Sequence, residues 1–569
     1  MIWKILSLLD QVDKKKLYLL VLLSLLSTFI EMGGLSMIFV ILSYVLENKY
    51  IIDFSLPYLK IFSFISKDNY LFFITLFLFV IYTFKIIFFI FFYYFQNKFI
   101  FLLRNKISVK LLNKYLKKKY LFFVQNNSAV LLRNIDKEVS QMTDQTILSF
   151  ITLLVEFLIL IGVATILITI NLKIFFSTMT IFFIIVLVYY LLVKNYILKL
   201  GKNRQRLTFH YLKSLNQIFK GIKTIKINKK EPFFEKIFQS VSLKLQKVNV
   251  IAVTFSQIPR LTIEFCLILI ITIYLMKLYF FNQSLNSDSN ELSVIGLFFV
   301  ASIRIIPSIT KIISSFQKLK YSSSSVDLVH QEIEQSKNSE DEILNIENNS
   351  LDFNHNITLK NIYFSYHNND NYNLKNINLE IKKNQILGIV GKSGAGKSTL
   401  VDLIAGLIPP QKGQIFIDGK NITAKYHLIK DRISYVSQKG FLLDDTIENN
   451  ILFGSKKNDV AKLNKLLNDL QIQNFNENSK FKLDSIIGED GVQISGGQAQ
   501  RICLARCFYQ DRDIMILDEA TSSLDIETED KILDLIKNMK KNKTIILISH
   551  KPNIKKICDQ IISITDGQI

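Results

Sequence analysis

Six long apolar runs in the N-terminal part constrain the fold of this chain more than any other feature. They span about residues 17–46, 69–100, 147–170, 174–197, 250–281 and 291–317. A helix of roughly 20 apolar residues is long enough to cross the hydrocarbon core of a bilayer. The runs therefore predict six membrane-spanning helices, and helical patterning continues the second of them to about residue 119.

Composition agrees with a long-helix membrane protein. Hydrophobic residues make up 49% of the 569 positions, and the chain has only seven Pro and one Trp. Its four Cys show no paired spacing, which indicates a reduced setting without a disulfide or metal framework. Residues 1–16 are amphipathic and end in a lysine run, which predicts an interfacial helix and no cleavable signal.

The net charge of +21 reflects two long basic segments, at about 104–137 and 199–247, that separate spans two from three and four from five. The segments after spans one, three and five carry few positive charges. The positive-inside rule then places the long basic segments in the cytoplasm. Because the charge flanks spans and forms no aromatic-interleaved patch, we expect no nucleic-acid partner.

Charged residues inside the apolar runs are costly unless they find a partner or a water-filled cavity. They are Glu31, Lys85, Glu156, Arg260, Glu264 and Arg304. Two interpretations remain open: ion pairs that lock helices, as for Arg260 with Glu264 one turn later, or a cationic lining for an anionic substrate. The lining is a candidate role for Lys85 and Arg304, and a structural role is favoured for Glu31 and Glu156.

The sequence divides into two domains of different periodicity. Residues 1–325 are predicted to form an all-α polytopic membrane domain, and polar and charged residues over 326–350 predict a linker. Residues 351–569 alternate short apolar runs with helical patterns, which predicts an α/β nucleotide-binding domain.

One stretch of the second domain fits the phosphate-binding loop pattern G-x-x-x-x-G-K-[ST]. It is Gly391, Lys392, Ser393, Gly394, Ala395, Gly396, Lys397, Ser398 and Thr399. An apolar strand precedes the loop and a helix follows it, as the pattern requires. Backbone N–H groups of such a loop cradle phosphates, the Lys reaches the terminal phosphates, and the Ser hydroxyl binds Mg²⁺.

A second apolar strand, residues 514–519, ends in two carboxylates, Asp518 and Glu519. In P-loop ATPases an Asp at this strand end helps to hold Mg²⁺, and a following Glu polarises the attacking water. With the phosphate loop upstream, this pair predicts ATP hydrolysis.

Between these two features stand Ser495, Gly496, Gly497 and Gln498, which resemble the signature sequence of the ATP-binding cassette (ABC) transporter family. Further family elements occur in order: Tyr366, similar to the aromatic residue that stacks on adenine; Gln438, similar to the glutamine that senses γ-phosphate; Asp525 in Ser523-Leu524-Asp525, similar to the D-loop; and His550, similar to the switch histidine.

The resemblance implies specific roles for these residues. ATP and Mg²⁺ are the expected cofactors, with Ser398, Gln438 and Asp518 around the metal. Glu519, His550 and Gln438 are the expected catalytic residues. The remaining residues of the phosphate loop, the signature and the D-loop are expected to bind nucleotide.

The family resemblance also implies the assembly. One membrane domain followed by one ATPase domain resembles a half-transporter, in which ATP lies between the phosphate loop of one subunit and the signature of the other. A homodimer in the bacterial inner membrane, with cytoplasmic ATPase domains, is therefore expected. Segments near 120–134 and 214–230 are candidates for the short helices that transmit motion.

Short strings in the membrane domain resemble lipid-linked oligosaccharide flippases of bacterial protein glycosylation. They include Ser27-Thr28-Phe29-Ile30-Glu31, Ile258-Pro259-Arg260 and Arg304-Ile305-Ile306-Pro307-Ser308. The substrate implied is a polyprenyl-pyrophosphate glycan, for which Lys85, Arg260 and Arg304 would provide a cationic path.

Three other functions remain open: an exporter of another lipid, a peptide or a drug; a DNA-processing ATPase; and a membrane-anchored ATPase that does not transport. Six apolar spans disfavour the second. Glu519 and His550 disfavour the third.

Overall fold

The computed structural model describes residues 2–47, 70–170, 172–280, 289–335, 351–366, 372–455, 459–473, 483–549, 551 and 555–569. The chain forms two compact units. The first comprises Met1–Lys118 with Asn126–Asn345, and the second comprises Lys119–Gln125 with Ile346–Ile569.

In its described residues the first unit is almost entirely helical. Its helices are α1 (Ile2–Leu8), α2 (Gln11–Glu47), α3 (Tyr70–Leu116), α5 (Ser128–Leu132), α6 (Leu148–Ile170), α7 (Leu172–Lys220), α8 (Ile222–Ile227), α9 (Glu231–Phe280) and α10 (Ser289–Gln335), while α4 (Tyr120–Gln125) belongs to the second unit. Two π-helical turns, Arg133–Glu138 and Gln141–Ile147, lie between α5 and α6.

The six predicted spans correspond to the long helices α2, α3, α6, α7, α9 and α10. They agree with these helices except at Ile147, which ends a π-helical turn, and at residues 69 and 281, which lie outside the described part of the chain. Among the described residues, three stretches are long and apolar enough by themselves to cross a membrane: Gln11–Gly34, Phe72–Leu116 and Ser128–Thr165. The predicted extension of the second span is confirmed, because α3 is one helix of 47 residues. At 1.5 Å per residue it is about 70 Å long, more than twice the thickness of a hydrocarbon core.

The predicted start of the linker, residue 326, is too early in the sequence. Helix α10 runs to Gln335, so residues 326–335 are helical. Val326, Val329 and Ile333 are at most 1% exposed, and their spacing of three and four residues puts them on one face of the helix. Burial of this apolar face stabilises the helix despite the polar composition of the segment, which had suggested a linker. Residues 336–350 lie outside the described part of the chain.

The run of four serines before this segment is also helical. Ser322 Oγ donates to the carbonyl of Lys318 at 2.7 Å, and Ser323 Oγ donates to that of Lys320 at 2.8 Å. Serine hydroxyls bonded back to the preceding turn are compatible with a helix. The serines therefore belong to α10.

The second unit contains two sheets. Four antiparallel strands, in the order β2-β1-β4-β5, are β1 (Asn356–Phe364), β2 (Leu374–Lys382), β4 (Lys412–Ile417) and β5 (Lys420–Asn421). Five parallel strands, in the order β6-β7-β8-β3-β9, are β3 (Ile386–Gly391), β6 (Ile433–Val436), β7 (Ile514–Asp518), β8 (Thr544–Ile548) and β9 (Gln560–Ile564).

The helices of this unit connect the strands. They are α11 (Lys397–Ile404), α12 (Ile447–Leu452), α13 (Val460–Asp469), α14 (Gly496–Gln510) and α15 (Ile526–Met539), with 3₁₀ segments at Thr423–Arg432 and Glu489–Gly491. Strands β7 and β8 are buried at every residue, as expected for parallel strands covered on both faces. This explains why they appear in the sequence as unbroken apolar runs.

The strand order decides where the site forms. Strand β8 pairs with both β3 and β7 in parallel register, so the three strands end at the same edge of the sheet. The phosphate loop follows β3, Glu519 follows β7, and Ser549 follows β8. Ligands of open parallel sheets bind outside the carboxyl ends of the strands.

Candidate ATP site

The phosphate loop joins β3 to α11 and is closed by its own lysine. Lys397 is 8% exposed, and its Nζ donates to the carbonyls of Gly391 at 2.8 Å and Lys392 at 2.9 Å. Two of the three ammonium hydrogens therefore hold the loop in shape. The Lys397 ammonium lies at the start of α11. Its charge and the helix dipole both favour an anion at this position.

Two glycines of the loop have backbone conformations that other residues rarely adopt. Gly394 has φ +82° and Gly396 has φ +106°. A Cβ on Gly396 would lie 3.0 Å from the carbonyl oxygen of Asn373. The glycine spacing therefore reflects the turn and the close backbone approach that a phosphate cradle needs.

The two carboxylates at the end of β7 have different surroundings. Asp518 is 6% exposed, and burial, followed by the nearby Glu519 charge, raises its pKa. Glu519 has φ +50°, and its Oε2 accepts from Gln438 Nε2 at 2.9 Å. The structure thus brings together the predicted metal ligand, the predicted base and the predicted γ-phosphate sensor.

These residues fit Mg²⁺. A buried carboxylate whose pKa is raised by a second carboxylate favours a neighbouring divalent cation, which would supply the missing positive charge. In the described part of the chain, no cluster of three His, Cys, Asp or Glu side chains suits a metal. Mg²⁺ bound through one carboxylate, a hydroxyl and phosphate oxygens is the usual arrangement for nucleotide sites. Asp518, Ser398 and Gln438 are the residues that would hold it.

The predicted adenine-binding residue is fixed by two contacts. The Tyr366 ring packs edge-on against Phe364, with centroids 5.0 Å apart, and its hydroxyl lies 3.4 Å from Asp402 Oδ2 on α11. Burial raises the pKa of Asp402 to about 6. Asp402 was not predicted, because it lies within the apolar pattern of α11 and belongs to no short motif.

The signature residues begin α14 with reciprocal caps. Ser495 Oγ accepts from the Gln498 backbone N–H, and Gln498 Oε1 accepts from the Ser495 backbone N–H. This capping box holds the N-terminus of a 15-residue helix in place. The D-loop residue Asp525 caps α15 with one side-chain bond, accepting from Thr528 N at 2.9 Å.

A residue that the motifs did not mark connects the signature helix to the D-loop. Gln500 Nε2 donates to Ser522 Oγ at 2.8 Å and to the Glu519 carbonyl at 3.3 Å, and Gln500 Oε1 accepts from Ser523 N at 2.9 Å. Its position two residues after Gln498, on a helix that begins at the signature, was the only sequence signal. Gln500 therefore links three functional segments.

A second connection was also missed. Glu529 on α15 is 3% exposed; it accepts from Thr521 Oγ1 at 2.8 Å and from Lys551 Nζ at 2.8 Å. Lys551 follows the predicted switch residue His550, which lies outside the described residues. Lys551 is thus bonded to α15, the helix that follows the D-loop.

The short helices predicted to transmit motion exist as α4 (Tyr120–Gln125) and α8 (Ile222–Ile227). Helix α4 belongs to the same compact unit as the ATPase core, and Leu121 packs against that core. Tyr120 lies near Asp402, and burial, followed by the Asp402 charge, raises the pKa of this tyrosine. The role of both helices in coupling stays a prediction.

The basic residues predicted to line a substrate path are paired where their side chains are described. Lys85 Nζ lies 2.9 Å from Glu31 Oε2, and Arg260 Nε donates to Glu264 Oε1 at 2.7 Å. Spacing along one helix missed the partner of Lys85, because that partner comes from α2. The side chain of Arg304 lies outside the described part of the structure.

The structural role favoured for Glu156 agrees with its contacts. This carboxylate is 3% exposed and accepts from Ser308 Oγ at 2.7 Å and Lys311 Nζ at 2.6 Å. Both donors lie on α10, so the contacts join α6 to α10.

Comparison with known proteins agrees with this geometry. Residues 374–522 match the family model of the ABC transporter. A solved bacterial Atm1-family ABC exporter with ATP bound has the same fold, with a TM-score of 0.76, 20% identity, and coverage of 98% of this chain and 95% of that one.

Curated relatives include ATP-dependent lipid A-core flippases. The one from Pectobacterium atrosepticum is 29% identical over 65% of this chain and 63% of its own length, and the one from Escherichia coli is 29% identical over the same shares. The flippase from Wigglesworthia glossinidia brevipalpis is 41% identical over 37% of each chain. The matches therefore span less than two thirds of the length of these relatives.

The chain has the fold of an ABC exporter, a helical domain followed by an α/β domain, and residues 374–522 of the second domain belong to the ABC transporter family model. The predicted ABC transporter domain and the predicted fold class are therefore confirmed. ATP with Mg²⁺ is the cofactor set of such a domain. Exporters of this bacterial type lie in the inner membrane with the ATPase domain in the cytoplasm, which agrees with the predicted localisation.

Proposed function

We propose that this protein is an ATP-driven translocase that flips a lipid-linked oligosaccharide, carried on polyprenyl pyrophosphate, across the bacterial inner membrane. One observation carries the ATPase part of this proposal. Strands β3, β7 and β8 are parallel and end at the same edge of the sheet. The phosphate loop, Asp518–Glu519 and Ser549 lie at these three strand ends. The same edge therefore offers a phosphate cradle, a metal ligand and a carboxylate base.

The chemistry follows from the positions of these groups. Lys397 and the loop N–H groups would bind the phosphates of ATP, and Mg²⁺ would neutralise charge that develops on them. Glu519 would accept a hydrogen bond from the attacking water, and the Gln438 amide, 2.9 Å from Glu519 Oε2, would orient that carboxylate. Gln438 would thereby link the base to the metal site.

We further propose that the active form is a homodimer. The chain provides one phosphate loop and one signature helix, and in the family a complete site joins the two elements from different subunits. The capped N-terminus of α14 would supply donors to the γ-phosphate bound by the other copy. ATP would then close the two cassettes, and hydrolysis would release them.

Two observations support a lipid substrate. The curated relatives are named as lipid A-core flippases, and short strings of the membrane domain resemble flippases of lipid-linked glycans. The pyrophosphate would meet Arg260, whose side chain is 72% exposed even though it is paired with Glu264. Arg304 and Lys85 would complete the path.

The test is translocation in proteoliposomes. With ATP and a polyprenyl-pyrophosphate oligosaccharide supplied, we expect wild-type protein to move the glycan headgroup across the bilayer and Glu519→Gln to move none. A lipid A-core headgroup in a parallel reaction distinguishes the two lipid classes. Translocation of lipid A-core alone would overturn the proposed substrate and leave the ATPase mechanism standing.

The cationic path has its own test. Arg260→Gln with Arg304→Gln should abolish flipping and leave basal ATP hydrolysis intact, while the matched pair Arg260→Lys with Arg304→Lys should retain partial flipping because it keeps the charge. Unchanged flipping in the Gln pair would remove these arginines from the path. ATPase stimulation by amphipathic cations instead of lipid pyrophosphates would favour a drug exporter.

A further inference from the structure

A cavity of about 340 Å³ lies between α7 and α10 in the first unit. Its walls are mostly apolar, with Leu187, Val193, Ile313 and Phe316 among the lining residues. Most ligand pockets in proteins have volumes of this order or larger. The cavity is therefore large enough to hold part of one acyl chain.

Two lysines, Lys194 from α7 and Lys320 from α10, line the same cavity. Both are half-buried, and Lys194 Nζ lies 5.7 Å from the centre of the Tyr190 ring. Among the described residues, neither ammonium lies within 4.0 Å of a carboxylate. Two uncompensated cations beside an apolar cavity favour an anionic ligand with a hydrocarbon part.

The wall also holds a buried acceptor. Gln317 is 9% exposed, and its Nε2 donates to the Tyr189 hydroxyl at 2.6 Å and to the Phe255 carbonyl at 3.0 Å. The carbonyl oxygen of Phe255 can only accept a hydrogen bond, so the Gln317 side-chain nitrogen must face it, which fixes the orientation of the Gln317 amide. Gln317 Oε1 is buried and has no hydrogen-bond partner among the described groups. This oxygen is closed off from the cavity, so Lys194 and Lys320 are the groups of the wall that can meet a headgroup.

The predicted topology places the charged groups near the cytoplasmic surface. Lys194 is close to the end of the fourth predicted span, and Lys320 follows the end of the sixth. Both spans run from the outer side to the cytoplasm in the sequence-based topology. Basic pockets between helices on this side of a membrane bind anionic lipid headgroups.

We infer that this cavity is a binding site for a resident anionic phospholipid of the cytoplasmic leaflet, with an acyl chain between α7 and α10 and its phosphate at Lys194 and Lys320. Phosphatidylglycerol has this chemistry. The lipid is bound and not transported, so the site does not depend on the proposed function.

The test uses the full-length protein in nanodiscs with equal amounts of phosphatidylglycerol and phosphatidylcholine, followed by native mass spectrometry of the released protein. We expect wild-type protein to retain phosphatidylglycerol with a preference of roughly tenfold. The pair Lys194→Gln with Lys320→Gln should lose that preference. Leu187→Trp, which fills the cavity from its exposed rim, should lower retention of both lipids.

Lys199→Gln with Lys318→Gln is the matched control, because these lysines lie on the same two helices and do not line the cavity. The control should keep the wild-type preference. Equal loss in both pairs, or equal retention of the two lipids by wild-type protein, would overturn the inference.

Two further outcomes would also overturn it. A change from dimer to monomer in the Lys194/Lys320 pair, with lipid retention unchanged, would mean that a second copy of the chain covers the cavity. Displacement of phosphatidylglycerol by a polyprenyl-pyrophosphate glycan would make the cavity part of the transport path.

Discussion

Arg204 on α7 donates to Glu138 Oε2 at 2.9 Å, and this carboxylate is completely buried. Ser325 on α10 donates to the same oxygen at 2.6 Å. A second cation, Arg133 Nε, lies 3.9 Å from the other oxygen, which has no hydrogen-bond partner among the described groups. One carboxylate therefore holds together α7, α10 and the π-helical turn Arg133–Glu138.

Removal of Glu138 should destabilise the membrane domain strongly. Glu138→Gln leaves two buried guanidinium groups, and the loss of one member of a buried pair costs roughly 3–5 kcal/mol. Arg204→Gln should cost less, because Arg133 remains beside the carboxylate. Thermal unfolding in detergent measures both. The exposed Lys4–Asp327 pair provides the control, since Asp327→Asn should change stability by less than about 1 kcal/mol.

The same region brings two helices very close together. A Cβ on Gly201 of α7 would lie 2.1 Å from the backbone carbonyl oxygen of Tyr321. Gly201→Ala should therefore separate α7 from α10 and lower the unfolding midpoint, although alanine favours a helix by about 1 kcal/mol. Gly33→Ala is the matched control, because nothing lies within 4 Å of its added Cβ, and it should be neutral or stabilising. A stable Gly201→Ala protein would show that the helices can shift without cost.

The sequence predicted those features of the molecule that depend on local pattern. Phosphate loops, strand ends and apolar runs combine residues that are close in sequence, and each has a steric or electrostatic reason for its spacing. The nine-residue loop and the Asp518–Glu519 strand end were found in this way. The length of α3 followed from continuous helical patterning.

Partners from distant segments could not be predicted in this way. Lys85 pairs with Glu31 of another helix, and Glu138 meets Arg204 across 66 positions. Such contacts depend on which helices become neighbours, and composition does not encode this. The early linker boundary had a related cause, because the burial of Val326 and Val329 depends on contacts that the polar composition conceals.

Gln500 should control how the signature helix and the D-loop move together. Gln500→Ala removes three hydrogen bonds that join α14 to the segment after β7. ATP hydrolysis should fall by roughly tenfold, which corresponds to about 1.4 kcal/mol of lost positioning, while the affinity for ATP stays close to wild type. Nucleotide binding and turnover are measured separately. Equal losses in both would indicate a folding defect instead.

Glu529 should act on the segment that contains the switch histidine. Glu529→Gln weakens the bonds from Lys551 and Thr521 and leaves the Lys551 cation without its carboxylate. We expect a lower turnover number and a lower unfolding midpoint. Glu527→Gln on the same helix is the control, because Glu527 is 80% exposed and paired only at the surface with Lys531. Similar effects of the two substitutions would contradict a positioning role for Glu529.

Asp402 should make the ATPase domain less stable at neutral pH than at mildly acidic pH. Burial, with a contribution from Asp518, raises its pKa from 3.8 to about 6. Because the folded state holds this proton more tightly than the unfolded state, the stabilising contribution of the group is complete below pH 3.8. It is lost as the pH rises through about 6.

Asp402→Asn keeps the shape of the side chain and removes the charge. At pH 7.5 we expect its unfolding midpoint to exceed that of the wild type by about 2 °C, and the difference should shrink towards zero as the pH falls to about 4. Thermal unfolding across this range measures it, with exposed Asp530→Asn as the control that changes net charge equally. A difference that persists at low pH, or an equal effect of Asp530→Asn, would mean that the charge buried beside Tyr366 is not its cause.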